Sequence, residues 1–341
     1  MNTASPKRSI LRVLRLKNIF ALAVLGMVAY ILANTDFRLI WFHIRAVPLP
    51  LMMLLLCLQL ITQFSLNLQW YRLCGTLNLK TSFFKLLVIN SYGMIADAVT
   101  PGEKVGGELV RVVQLKRLLN YSTNQSTSLV AIQKSISLFA LILLNIAAVM
   151  SLYGEFDFLK STAVRIAFIA VLISLALFLL SLIFFSERLN VFVQRLPYNG
   201  KIAGWIKNWM QEFAEDTKEI SRSPGRWIFQ LLLSFGIWAL FPMKLFILIS
   251  EYTEMNLLVL FAITFVSYFA AMIPLLPGGL GTFEGTMSGM LLVYGLSAEE
   301  AVAVSLVFRF VTFWFVVLFS ALIILLWKLI SIRRKSIYEG Q

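Results

Sequence analysis

Apolar runs long enough to cross a bilayer recur along this chain, and they decide its fold class before any motif is read. Val47 to Leu68, Leu129 to Leu152, Ala163 to Phe185, Trp227 to Ser250 and Ala301 to Trp327 can each span the roughly 30 Å of a hydrocarbon core. A further run, Ile19 to Ala33, follows Lys7, Arg8, Arg12, Arg15 and Lys17. No small-x-small cleavage site succeeds it, so it reads as a retained first helix and not as a secretory leader. Segments in hydrocarbon must satisfy their own backbone, which leaves helices. The expectation is an all-α polytopic integral membrane protein with about six full crossings. Composition agrees, since 59% of residues are hydrophobic and 14% charged, with a mean hydropathy of +0.83.

Lys and Arg number 30 against 17 Asp and Glu, a net charge of +13. The bases lie in the gaps between apolar runs, where the positive-inside rule places them, and form no basic face of a soluble domain. The excess therefore reports topology, and no nucleic-acid partner is expected. Cys57 and Cys74 form no C-x-x-C pair, and the single histidine, His43, falls in a short loop. A metal site, a Ser-His-Asp triad and a bound cofactor are not expected.

Two shorter apolar stretches, Phe83 to Val99 and Leu257 to Pro274, run into Pro-Gly breaks at Pro101-Gly102 and Pro277-Gly278-Gly279. A second short apolar helix follows each, Glu108 to Leu119 and Phe283 to Leu296. Broken backbone at membrane depth is tolerated where protein buries it or where it lines a polar cavity, so both stretches read as re-entrant hairpins. If the first hairpin enters from the cytoplasm, Arg111, Lys116 and Arg117 join Arg72, Lys80 and Lys85 on the inside. Glu155, Asp157, Glu251, Glu254, Glu299 and Glu300 then lie outside, and both termini are cytoplasmic. Between the units, Lys201 to Ile220 carries Ile202, Trp205, Ile206, Trp209 and Phe213 at helical spacing. That segment is either an interfacial amphipathic helix or a strut against the bundle.

The two breaks are related. In each, a glutamate stands seven positions after the proline, Glu108 and Glu284, and one base follows in the next apolar helix, Lys134 and Arg309. Each unit reads as helix, Pro-Gly hairpin with a Glu, then helix with a cation. The topology inverts one unit relative to the other, giving repeats of about 47–152 and 227–327 joined by a linker helix and the cytoplasmic amphipathic segment of 163–226. Inverted repeats with paired broken helices are a transporter arrangement with the site near the midplane. Each charge costs about 2.5–3.5 kcal/mol in hydrocarbon, so Glu108, Glu284, Lys134 and Arg309 should face the interior. They are either buried ion pairs that lock each hairpin or a polar pathway. The helix start after each break offers free N–H groups and a positive dipole end suited to an anionic headgroup. Asp97 and Arg111 fall near the mouth of the first hairpin, with Gly107 beside Glu108; Arg111 reads equally as a topology anchor. Gly281, with Gly285 and Gly289, forms a small-residue stripe suited to close helix packing. Lys244, beside Pro242, is a weaker candidate.

Leu276-Pro277-Gly278-Gly279-Leu280-Gly281-Thr282-Phe283-Glu284, with Arg309 downstream and Pro101 followed by Gly107-Glu108-Leu109-Val110-Arg111 upstream, resembles the lysylphosphatidylglycerol synthase transmembrane-region (flippase-like) family. The resemblance covers nearly the whole chain and implies the membrane half of such a protein without the soluble synthase domain. It also implies lipid flipping at the cytoplasmic membrane, with a membrane lipid as substrate and a separate lipid-modifying enzyme as a partner. One departure is Ser137, where the family often has an acidic residue three positions after the base. No G-x-x-x-x-G-K-[ST] stands in the chain, so no ATP hydrolysis is expected. Movement of a lipid with an anionic or lipid-linked headgroup is the leading reading, and the chain is not expected to be an enzyme. The alternatives are a membrane enzyme of headgroup modification with Glu108 or Glu284 as general base, and a scaffold subunit that transports nothing.

Overall fold

A computed structural model of the chain describes residues 37–100, 106–151, 161–197, 200–273 and 276–339. Their regular structure is helical: α1 (Phe37–Ala46), α2 (Leu49–Thr76), α3 (Phe83–Val99), α4 (Gly106–Leu119), α5 (Thr123–Ser151), α6 (Thr162–Phe184), α7 (Ser186–Arg195), α8 (Lys201–Ser221), α9 (Pro224–Ile249), α10 (Leu257–Met272), α11 (Thr282–Val293), α12 (Ala298–Arg309), a π-helical turn at Phe310–Trp314, and α13 (Phe315–Glu339). Among the described residues five helices are long and apolar enough to cross a bilayer: α2, α5, α6, α9 and the composite α12–π–α13 over Ala298–Ile332. This is a multi-pass membrane protein. The expected first helix, Ile19 to Ala33, lies outside the described residues, as do Pro101, Gly102, Glu155 and Asp157.

Local chemistry explains the boundaries. Helix α2 starts at a proline-flanked turn and ends where Asn78 adopts a left-handed φ of 54° and Leu79 N bonds back to Cys74 O. Asn120 ends α4 with a φ of 58°. The Asn256 side chain caps α10, and Ser297 with Glu300 forms a capping box on α12. The lone histidine does not lie in a loop: His43 falls within α1, against Phe42 and Tyr252, because apolar residues at helical spacing continue from Phe37 to Ala46.

The helices flanking each break hold 17, 14, 16 and 12 residues, so they reach about 18–26 Å at 1.5 Å per residue and none crosses alone. Each pair forms an antiparallel hairpin. In the first, Lys85 Nζ donates to Leu118 O at the base and Gly107 N donates to Asp97 at the tip. In the second, the rings of Tyr268 and Phe283 meet edge to face with centroids 5.0 Å apart.

The composite span aligns the two hairpins. Ser288 of α11 bonds Ser305 Oγ at 2.8 Å, Phe283 stacks on Phe308, and Arg309 reaches Gly278. Further along, Leu87 and Val88 of α3 pack with Ile323, and Phe84 with Trp327. The second hairpin thus lies along the first half of the span and the first hairpin along the second half. Their tips meet beside the π-turn, where Gly278 N donates to Thr100 O at 3.2 Å.

Helix α6 sits at the rim. Leu172, Ala176, Leu179 and Ile183 are buried, while Ile166, Val171, Leu177 and Phe178 are exposed. Helix α8 is a strut over its second half, with Met210, Phe213, Thr217 and Ile220 buried. Its first turns leave Ile202, Trp205 and Ile206 exposed.

Candidate functional site

The tip of the first hairpin carries a connected set of charges. Glu108 stands on the first turn of α4, and Arg111 one turn later on the same face. Asp97 is on the last turn of α3 and Lys134 on α5. Glu108 Oε1 lies 2.9 Å from Lys134 Nζ and 3.2 Å from Arg111 Nη1, and Asp97 Oδ2 lies 3.3 Å from Arg111 Nη2. Two carboxylates and two cations therefore form one neutral chain of contacts. Arg111 is buried, so it is a member of this site and not a surface topology anchor. Pairing in the first unit survives the serine at 137: Ser137 O and Oγ instead accept from Trp238 Nε1, each at 3.1 Å.

The second unit is built differently. Glu284 Oε2 accepts from Gly281 N at 2.7 Å and so caps its own helix, while Oε1 faces Arg309 Nε at 3.4 Å. Arg309 also donates to Gly278 O, and its guanidinium lies 4.7 Å from the Phe283 ring centroid and 4.1 Å from that of Phe313. Buried with 1% of its surface exposed, this arginine holds the broken backbone in place. Gly278 and Gly279 have φ of 61° and 68°, which a side chain would strain. Pro277 O accepts from Leu280 N, closing the turn.

The helix starts after the breaks do not stand open to an anionic headgroup, as the sequence suggested. Asp97 Oδ1 accepts from Gly107 N at 2.8 Å, and Glu284 fills the equivalent place at Gly281. The chain's own carboxylates occupy both positive ends: Glu284 from the first turn of its own helix, and Asp97 from the last turn of α3, which the hairpin brings back against α4. Gly107 allows the first of these contacts, since a Cβ there would collide with the Asp97 carboxylate.

A cavity of about 110 Å³ opens beside the first-unit charges. Asp97, Glu108, Arg111 and Lys134, joined by their ion pairs, line it together with Leu66, Trp70, Ile237, Trp238, Phe241 and Val316. Glu284 and Arg309 lie behind that lining, reaching it through Phe313. The structure brings Glu108, Lys134, Asp97 and Arg111 together at the cavity and places Glu284 and Arg309 in the support of the second tip. Among the described residues no cluster of His, Cys, Asp or Glu could hold a metal ion.

Sequence reasoning missed the neutral amides. Gln133, at the cavity, donates to Gln69 Oε1 at 3.0 Å, and Gln69 donates to Ser234 Oγ and Gln230 O. Asn67 and Asn90 pair at 3.0 Å, joining α2 to α3. The available signal was an amide at every fourth position of an apolar run, Gln59, Gln63 and Asn67, which puts all three on one helical face.

Comparison with known proteins gives a coherent result. The sequence profile of the lysylphosphatidylglycerol synthase TM region matches residues 18–320. A UPF0104 membrane protein of Methanothermobacter thermautotrophicus is 24% identical over 257 residues, 70% of this chain and 72% of that protein. A second UPF0104 membrane protein, from Pyrococcus horikoshii, is 25% identical over 282 residues, 75% of this chain and 81% of the relative.

Proposed function

We propose that this chain, which belongs to the lysylphosphatidylglycerol synthase transmembrane-region family, moves an amphipathic lipid with an anionic headgroup between the leaflets of the cytoplasmic membrane. The observation that carries this reading is a cavity whose lining combines two chemistries, a cluster of four charged side chains and a largely apolar remainder. A lipid presents the same division, and its headgroup crosses hydrocarbon only if polar groups replace its water. Arg111 and Lys134 supply cations to a phosphate, while Glu108 Oε2, buried and accepting no hydrogen bond, suits a hydroxyl or ammonium donor on the same headgroup.

In this reading the hairpins are re-entrant, the first from the cytoplasm and the second from outside, and their meeting point at Thr100 and Gly278 lies near the midplane. Segments 47–152 and 227–327 are the inverted repeats, and both termini are cytoplasmic. The chain is a transporter and not an enzyme, acts without a cofactor or nucleic acid, and takes its lipid from the bilayer or from a separate lipid-modifying enzyme.

A leaflet-resolved lipid assay in proteoliposomes, with a panel of headgroups and an imposed pH gradient, tests it. Movement without headgroup conversion is the expected result. Conversion would replace the reading with that of an enzyme, and neither movement nor conversion would leave a scaffold.

A further inference from the structure

Lys244 lies inside the membrane bundle on α9, with none of its surface exposed. The charged residues that line the cavity, and the pair behind it, have opposite partners: Asp97 and Glu108 meet Arg111 and Lys134, and Glu284 meets Arg309. Lys244 instead donates to Gln59 Oε1 and, at 3.1 Å, to Thr62 Oγ1, and its ammonium sits 4.3 Å from the Phe241 ring centroid. None of these neutral groups cancels its charge. An intramembrane cation without a carboxylate is expensive, and such residues mark ligand paths.

A second observation points the same way. With Gln59 Oε1 accepting from the lysine, the amide orientation is fixed and Gln59 Nε2 is left buried with no acceptor. A buried donor without a partner beside an uncancelled cation lacks one thing, an anionic acceptor. Thr62 and Phe241 both touch Lys244 and both line the cavity, so one layer of side chains separates the ammonium from it. Along α9, Lys244 stands one turn past Phe241, away from the end where Gln230 bonds to Gln69.

We infer that Lys244, Gln59 and Thr62 form a second anion station for the phosphate of a lipid headgroup, beyond the cavity and toward the Ile249 end of α9. The inference deepens the transport reading and rests on it for the identity of the ligand. The four described charges that line the cavity sum to zero, so this lysine supplies the net positive charge that makes the path prefer an anionic headgroup to a zwitterionic one.

The test uses the full chain in detergent and native mass spectrometry with equimolar short-chain phosphatidylglycerol and phosphatidylcholine. The wild type should bind the anionic lipid in preference. Gln59→Glu places a near-isosteric carboxylate beside Lys244, keeps the fold through an ion pair, and should lower that preference about tenfold or more. Lys244→Gln should do the same, and Lys244→Arg should retain the preference. An unchanged preference in both Gln59→Glu and Lys244→Gln overturns the inference, as does the absence of any preference in the wild type. Lys244-dependent binding of inorganic phosphate by a wild type that binds no phosphatidylglycerol would overturn the assignment to a lipid headgroup. Lipid movement in proteoliposomes with a preference indifferent to Lys244 would sink the station and leave the transport reading standing. A Lys244-dependent preference in a protein that moves no lipid would do the reverse.

Discussion

The amide of Gly278 donates a hydrogen bond to the carbonyl oxygen of Thr100, 3.2 Å away. These residues are 178 positions apart and belong to different hairpins, each ending where its helix breaks. The bond satisfies two backbone groups that the breaks released, and it fixes the tips end to end beside the π-turn at Phe310–Trp314.

That junction predicts a sharp contrast between glycines. A Cβ at Gly279 would come within 2.7–2.9 Å of Ala271, including its backbone, at a φ of 68°. Gly285 has nothing within 4 Å of the same construction. Gly279→Ala should lower the thermal unfolding midpoint of the purified protein or prevent its recovery. Gly285→Ala should match the wild type or exceed it by up to about 1 kcal/mol. Equal behaviour of the two variants would contradict the packing at the second tip.

The two charged units should fail in different ways. Glu108→Gln with Lys134→Met removes a cavity-lining pair together, so the protein should fold and its lipid movement should fall about tenfold or more. Arg309→Met leaves Gly278 O and Glu284 without their arginine and should cost roughly 3–5 kcal/mol. Thermal unfolding and lipid movement measured side by side separate the outcomes. A stable Arg309→Met protein would show that the second tip does not depend on its arginine.

Asp216 on α8 gives the protein a pH-sensitive joint. Burial pushes its carboxyl up to about 6, helped by Glu212 and Glu215 and opposed by the hydrogen bond it accepts from Ser128 of α5. The folded value lies above the ordinary one near 3.8, so the folded state holds the proton more tightly than the unfolded chain. Its contribution to stability is complete below about pH 4 and is lost as pH rises through about 6. Asp216→Asn should therefore raise stability at pH 7 by about 1–2 kcal/mol and have little effect at pH 4. Unfolding midpoints of both proteins at the two pH values check the sign.

Topology is open to labelling. Lys116 and Ala298 are exposed, near opposite ends of the hairpin pair. In a chain carrying Cys57→Ala and Cys74→Ala, Lys116→Cys should react with an impermeant thiol reagent from the cytoplasmic side and Ala298→Cys from the outer side. Ala298 is preferred to Ser297, whose hydroxyl caps α12. Labelling of both from one side would end the inverted-repeat reading.

Much of this protein follows from its sequence alone. The five described spans, the two Pro-Gly hairpins and the recurrence of Glu108 and Glu284 depend on local quantities: run length, backbone breaks and spacing. Helical hydrogen bonds join residues four apart, so a linear reading reaches them. The roles of the charges were not legible in that way. Glu108 with Lys134 and Glu284 with Arg309 look equivalent in spacing, yet the first pair lines the cavity and the second braces a turn. Gln59 and Lys244 stand 185 positions apart and meet only because α2 and α9 pack in one register. Tertiary structure decided these roles because, inside a bilayer, a charge or amide is defined by the nearest polar group on another helix, and that neighbour is set by packing.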